Sequence, residues 1–134
     1  MTAATLSFAL LGSGSRGNAL VVQCGTTRLL VDCGFSAREI ERRLARIELV
    51  PADIDAIVIT HEHDDHWKGV SRFSRAHGLP VWLTPGTRAA KAGDALAATE
   101  LYSPHEAFAI GDLELFPYPV PHDAREPAQL VIGN

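Results

Sequence analysis

The sequence predicts an α/β protein in which helices pack against sheets to form a layered sandwich. Short apolar runs separated by glycine-containing turns occupy the first 32 residues, an amphipathic helical segment follows, and a β-branched run at 55–60 then leads directly into a histidine. Alternating strand and helix patterns are typical of sheets covered by helices. The 134 residues can enclose one hydrophobic core, so we expect a single domain.

The N-terminal segment predicts a meander of three antiparallel strands followed by a helix. Apolar runs cover residues 5–11, 19–24 and 27–32. Ser36 and Glu39 then have the spacing of a capping box, which predicts a helix of about three turns. The apolar positions of this helix share one face and are expected to be buried: Ile40, Leu44 and Ile47.

The remaining chain alternates between strand and helix patterns. The run at 55–60 is almost continuously β-branched and predicts a strand that is buried on both faces. Further helices are expected at 68–76 and 88–98, and further strands at 80–83, 100–103, 108–110, 113–118 and 129–132.

Composition and charge exclude several classes of protein. The 12 basic and 16 acidic residues give a net charge of −4, so any contact with nucleic acid must be local. Cys24 and Cys33 form no CxxC pair, which favours free thiols in a reducing cytoplasm. No apolar run approaches the roughly 20 residues of a membrane helix, and no signal peptide is evident. We therefore expect a cytoplasmic protein without a membrane partner.

The segment HEHDDH at residues 61–66, directly after the run at 55–60, is the strongest candidate for a site. In extended backbone, alternate side chains point the same way, so His61 and His63 could offer two imidazoles to one metal ion. A turn after them would bring Asp65 and His66 to the same cavity, where they suit a second cation. The alternative is a solvated polar loop.

Residues near this segment could support the metal ligands. Asp32 ends a buried strand, and its carboxylate therefore needs hydrogen-bond donors, for which a metal-bound imidazole N–H is suitable. The alternative is a turn aspartate ahead of Gly34. Glu62 and Asp64 should point away from the metal, with Glu62 in a supporting role. Cys33 is expected to be a small buried hydrophobic residue.

The glycine-rich segment 12–18 lacks the GxxxxGK[ST] pattern and precedes a strand, which excludes a nucleotide-binding P-loop. Its glycines allow close approach of the backbone to a ligand. The alternative is a tight hairpin with no role in substrate binding. The polar residues of the segment that could contact a substrate phosphate are Ser13, Ser15, Arg16 and Asn18.

The isolated histidines His77 and His105 have no partner at ligand spacing, so we interpret both as solvated surface residues without a role. The arginines on the predicted helices are likewise interpreted as solvated.

The motif HxHxDH, at residues 61–66, is the signature of the metallo-β-lactamase-fold hydrolases, which this sequence therefore resembles. The segment LVDCG at 30–34 is similar to the first motif of that family. The segment 11–18 and the PHDA sequence at 121–124 further resemble the bacterial YycJ-type branch, whose members are described as DNA exonucleases. The resemblance extends from about residue 6 to the last residue.

The resemblance implies a metallo-β-lactamase-like αββα fold, of which this chain would be the first half of the four-layer sandwich. It also implies a centre with two Zn²⁺ ions, with Mn²⁺ as the alternative metal. The implied ligands are His61, His63 and His122 for the first ion and Asp65 and His66 for the second. Asp65 is also the candidate catalytic residue, and Asp32 and Glu62 would support the ligands.

The sequence departs from the family pattern after His122. Family members are about twice as long, and their second half supplies a bridging aspartate and a last histidine; neither motif follows His122 here. We therefore expect residues 1–134 to be the N-terminal part of one domain that binds one metal tightly and has little activity alone. The apolar strands at 6–11, 20–22 and 29–31 would then need cover, by self-association or by a C-terminal half.

These observations favour a metal-dependent hydrolase, specifically a phosphodiesterase or DNA exonuclease that uses a metal-activated hydroxide and takes nucleic acid as its substrate. The alternative enzymatic function is hydrolysis of small thioesters, lactones or lactams, because the motif indicates a metal site but does not identify the substrate. A non-catalytic metal-binding fragment is the alternative outside catalysis.

Overall fold

The computed structural model describes residues 5–120 and 124–134, which form two sheets with helices against the outer face of the first. The six strands of the first sheet follow chain order: β1 Leu6–Gly12, β2 Ala19–Cys24, β3 Thr27–Val31, β4 Ala56–Val58, β5 Pro80–Leu83 and β6 Ala98–Leu101. The second sheet contains β7 Phe108–Ile110, β8 Leu113–Pro119 and β9 Ala128–Gly133. The helices are α1 Ala37–Arg46, α2 Asp64–Trp67, α3 Val70–His77 and α4 Pro85–Ala90, with a 3₁₀ turn at Pro51–Asp53.

The strand directions bring several loops to one edge of the first sheet. Strands β1 to β3 are antiparallel, which confirms the predicted meander, whereas β3 to β6 are parallel neighbours. The carboxyl ends of β3, β4 and β5 therefore meet at the same edge, and the chain continues from them into Asp32, Ile59 and Thr84. Ligand sites of α/β sheets form at this edge.

The core consists of two apolar layers, one on each face of the first sheet. Against the helices, Ile40 and Phe73 belong to the same fully buried cluster as Ile57. Between the sheets, Leu29 and Leu115 are also fully buried. All three residues of β4 are buried, as the β-branched run predicts. The predicted sandwich of helices and sheets is confirmed.

The second sheet covers most of the face that was expected to need a partner. Leu29 and Val31 are buried beneath it. On the edge strand β1, however, Phe8 and Leu10 remain 72% and 64% exposed, although they pair with Val22 and Leu20 of β2. The uncovered apolar surface of this face is thus concentrated at β1.

Two details of the helices differ from the sequence prediction. The prediction of a helix at 88–98 is wrong, because α4 begins at Pro85 and ends at Ala90. Thr84 caps this helix by accepting a hydrogen bond from Thr87 N–H, and Pro85 occupies its first position. Ile47 was expected to be buried but is 38% exposed, because α1 ends at Arg46. Glu48 then takes a left-handed conformation with φ 62°.

Cys24 and Cys33 are both buried, as was expected of Cys33. In the described ranges 5–120 and 124–134, none of the helices has the length and apolar character needed to cross a bilayer.

Candidate metal centre

The HEHDDH segment lies at the carboxyl end of β4, where it leaves the sheet and turns into α2. His63 occupies the position before the first residue of α2 and has extended backbone angles, and Asp65 lies in the first turn. Ligand atoms of His61, His63 and Asp65 all lie within 4.8 Å of one another. Two imidazoles and a carboxylate are a donor set that divalent cations such as zinc accept, so these residues fit a metal ion.

His66 adjoins the same group. Its ring centroid lies 4.0 Å from that of His61, whose ring is 4.9 Å from that of His63. The Nε2 atom of His66 is 3.7 Å from Oδ2 of Asp65. The side chain of Asp64, by contrast, is 90% exposed. The structure therefore brings four of the sequence-predicted ligands together and directs Asp64 to solvent.

Asp32 lies behind the histidines and is only 5% exposed. Its Oδ1 accepts a hydrogen bond from the Thr60 main-chain N–H at 2.8 Å, and its Oδ2 accepts from the Thr60 hydroxyl at 2.8 Å. The same Oδ2 lies 2.7 Å from Nδ1 of His66. The backbone at Asp32 has φ 61°, a left-handed conformation that aspartate tolerates better than most residues. Three donors thus fix this buried carboxylate.

Thr60 determines which ring nitrogen of a neutral His61 carries the hydrogen. The Thr60 hydroxyl has one hydrogen, which it donates to Asp32. Its 3.0 Å contact with Nδ1 of His61 therefore requires the imidazole to donate. The lone pair of a neutral His61 is then on Nε2, and the bond from Nδ1 of His66 to Asp32 places the lone pair of His66 on Nε2 as well. Sequence reasoning missed Thr60; the signal was a hydroxyl residue at the end of an apolar strand, directly before the first histidine.

The surroundings of His66 favour its protonated form when no metal is bound. Burial lowers the pKa of His66, but the hydrogen bond to Asp32 and the negative charges of Asp32 and Asp65 outweigh burial and raise that pKa above its ordinary value. A metal ion at His66 must therefore compete with a proton.

Main-chain hydrogen bonds hold α2 against the turn that follows β3. The N–H of Asn18 donates to the Asp65 carbonyl at 2.7 Å, and the N–H of Cys33 donates to the His66 carbonyl at 2.9 Å. Gly34 donates in turn to the Asn18 carbonyl at 3.0 Å. A Cβ atom at Gly34 would overlap the Asp65 carbonyl group, so only glycine fits there without displacement. Sequence reasoning noted Gly34 only beside a possible turn and as the last residue of the LVDCG segment.

Other predicted residues lie at the margins of the centre. Oε1 of Glu62 accepts a hydrogen bond from Arg125 N–H at 2.8 Å, and within the described part of the chain its buried Oε2 has no hydrogen-bond partner. Ser13, Ser15 and Arg16 are exposed in the loop between β1 and β2. His122, the further predicted ligand, lies outside the described residues.

The centre opens into a cavity of about 350 Å³. It is lined by polar side chains of the centre, by the residue after β8 and by residues at the start of β9: Asp32, Thr60, His61, His66, Val120, Pro127, Ala128 and Gln129. A small ligand or part of a larger one can therefore reach the histidines.

The two isolated histidines differ from each other. His105 is exposed, as predicted. The interpretation of His77 as solvated is wrong: its Nε2 lies 2.9 Å from Oε1 of Glu41, its side chain is 25% exposed, and its ring packs against Phe73. His77 therefore connects α3 to α1.

The fold and the donor set define a family of metal-dependent hydrolases. The sequence profile of the metallo-beta-lactamase superfamily matches residues 12–133. The chain belongs to this superfamily, and the α/β sandwich described above is its fold.

Within the superfamily, the chain is similar to YycJ-type proteins. Exodeoxyribonuclease YycJ of Bacillus anthracis is 36% identical over 133 residues, which cover 96% of this chain and 50% of the relative. Exodeoxyribonuclease WalJ of Streptococcus pneumoniae serotype 2 is 34% identical over 126 residues, which cover 90% of this chain and 47% of the relative. The chain thus spans about half the length of the curated relatives it matches.

Solved structures show the same fold at lower identity. A B3 metallo-beta-lactamase with an active-site glutamic acid has a TM-score of 0.78 and 18% identity; the matched region covers 93% of this chain and 53% of that protein's chain. The metallo-beta-lactamase fold protein YhfI from Bacillus subtilis has a TM-score of 0.75 and 16% identity; the matched region covers 94% of this chain and 58% of that protein's chain.

Proposed function

We propose that this chain carries the metal centre of a zinc-dependent phosphodiesterase that hydrolyses DNA. The observation that supports this proposal most is the convergence of His61, His63 and Asp65 beside an open cavity. The relatives with 34–36% identity are named exodeoxyribonucleases, which favours DNA over a small thioester or lactam as the substrate. We also propose a cytoplasmic location and an N-terminal position of these residues within one larger domain.

In this proposal, His61 and His63 hold the first zinc ion together with His122, and Asp65 and His66 hold the second. When bound, zinc ions lower the pKa of water and neutralise charge that develops on a phosphate. The chain's own residues prepare the centre: the Thr60 hydroxyl oxygen accepts a hydrogen bond from Nδ1 of His61, and the Asp32 carboxylate accepts one from Nδ1 of His66. The ligands therefore need little reorganisation when a metal ion binds.

The exposed loop between β1 and β2 is proposed to meet the DNA backbone. It carries Ser13, Ser15 and Arg16 and adjoins the centre through the bond between Asn18 and Asp65. An arginine and hydroxyl groups are effective donors to phosphate oxygens. Because the chain as a whole has a net charge of −4, such local contacts must supply the attraction to DNA.

The test is hydrolysis of end-labelled linear duplex DNA by the purified chain loaded with Zn²⁺, with a thioester as the competing substrate. We expect slow release of nucleotides from DNA, in keeping with the little activity expected of residues 1–134 alone, and still less hydrolysis of the thioester. We expect His61→Ala to abolish the DNA hydrolysis because a ligand is removed. His105→Ala, which changes an exposed histidine away from the centre, should leave the rate unchanged. The proposal would be contradicted if the rate of DNA hydrolysis were unchanged both by a metal chelator and by His61→Ala.

A further inference from the structure

Asn18, the last residue of the loop between β1 and β2, is bonded to Asp65 in three ways. Its main-chain N–H donates to the Asp65 carbonyl oxygen at 2.7 Å. Its side-chain Nδ2 lies 3.0 Å from the same carbonyl oxygen and 3.3 Å from the carboxylate oxygen Oδ2. The two residues are 47 positions apart in the chain, so the fold brings this contact about.

Gly14 determines which way the amide of Asn18 points. The Gly14 N–H donates to Oδ1 of Asn18 at 3.1 Å, and the Gly14 carbonyl accepts from Nδ2 at 2.8 Å. A flipped amide would place donor against donor and acceptor against acceptor at both contacts. The nitrogen of the amide therefore faces Asp65.

Both hydrogens of Nδ2 are occupied in this arrangement. One is donated to Gly14, and the other lies between the carbonyl and carboxylate oxygens of Asp65. No hydrogen of the amide is then left for a substrate phosphate, which was the role considered from the sequence. We propose instead that Asn18 is a positioning residue that holds the carboxylate of Asp65 in the metal centre.

A carboxylate ligand at this position needs such a constraint. The side chain of Asp65 is 32% exposed, so water competes for its oxygens. The proposal rests on the proposed function, in which Asp65 is a metal ligand. Hydrogen-bond partners of metal ligands commonly change metal affinity about 10- to 100-fold.

The test is titration of the metal-free full chain with Co²⁺, followed by its visible absorption, for the wild type and the variants N18D and N18A. N18D keeps the size of the side chain and the main-chain donor but removes the amide donor; N18A removes that donor without adding charge. We expect both variants to bind the Co²⁺ ion that Asp65 ligates at least about 10-fold more weakly and to show an altered absorption spectrum, because the ligand field of that ion changes.

Arg43→Ala is the matched control. The Arg43 guanidinium donates to the Leu11 carbonyl beside the same loop and lies over the Phe35 ring, but it makes no contact with Asp65 in the described structure. This variant should be less stable, yet keep its Co²⁺ affinity and spectrum. A wild type that binds no Co²⁺ would contradict the proposed metal centre, whereas wild-type affinity and spectrum in N18D or N18A would overturn the role of Asn18 alone. An equal loss of affinity in Arg43→Ala would also overturn it, by showing that any disturbance of the loop suffices.

Discussion

Gly34→Ala is expected to destabilise the chain by about 1–3 kcal/mol and to weaken metal binding at least about 10-fold. The added Cβ would overlap the carbonyl group of Asp65 and lie 2.7 Å from the main-chain nitrogen of Asn18. All of these are backbone atoms, so no side chain can rotate to make room. The substitution must move α2 away from the turn after β3, and Asp65 and His66 move with it.

Chemical denaturation and Co²⁺ titration of the same samples measure both effects. Gly93→Ala is the control, because a Cβ at Gly93 would have open space around it, and it should change the free energy of unfolding by no more than about 0.5 kcal/mol. If Gly34→Ala matched Gly93→Ala in stability and metal affinity, the close packing of α2 on this turn would be refuted.

Asp32→Asn is expected to lower the free energy of unfolding of the metal-free chain by about 1–3 kcal/mol. The carboxylate of Asp32 accepts hydrogen bonds from Thr60 N–H, the Thr60 hydroxyl and His66 Nδ1. An asparagine amide has only one acceptor oxygen, so its NH2 group would face at least one of these donors. Asparagine tolerates the left-handed backbone of this position, so the effect reports the lost acceptor rather than backbone strain.

The loss should depend on pH in a defined direction. Because Asp32 raises the pKa of His66 in the folded chain, protonated His66 contributes stability that is fully present below the unfolded pKa of about 6.5 and is lost as pH rises through the folded pKa. Asp32→Asn removes this contribution, so its effect should be larger at pH 5.5 than at pH 8.5. Urea denaturation at the two pH values measures the difference.

Asp55→Asn provides the control for this experiment, since the exposed Asp55 accepts a main-chain bond from Arg28 at a distance from the centre. It should show no comparable loss at pH 5.5. An effect of Asp32→Asn that grew with rising pH would contradict the assigned pairing of Asp32 with His66.

Local patterns were sufficient to predict most of the elements and the proximity of the candidate ligands. The spacing of His61 and His63 and the turn toward Asp65 depend only on neighbouring residues, so the sequence could indicate a shared cation site. The capping interaction of Ser36 with Glu39 N–H is equally local and was predicted. The order of the first three strands followed from the turns of the meander.

The contacts that support the centre could not be predicted because they join distant parts of the chain. Asn18 and Asp65 come together only after β1, β2 and α2 have packed, and Gly34 is required only because α2 lies against it. The start of α4 shows a different limit: helix propensity in the alanine-rich segment suggested a later start, but the cap at Thr84 decided it.

The central claim is that residues 61–66 bind a metal ion, and the metal content of the purified chain tests it most directly. After dialysis against Zn²⁺-containing and then metal-free buffer, elemental mass spectrometry should find about one Zn²⁺ per wild-type chain. His63→Ala should lose this zinc, and His105→Ala should retain it. Equal zinc in His63→Ala and the wild type would contradict the account.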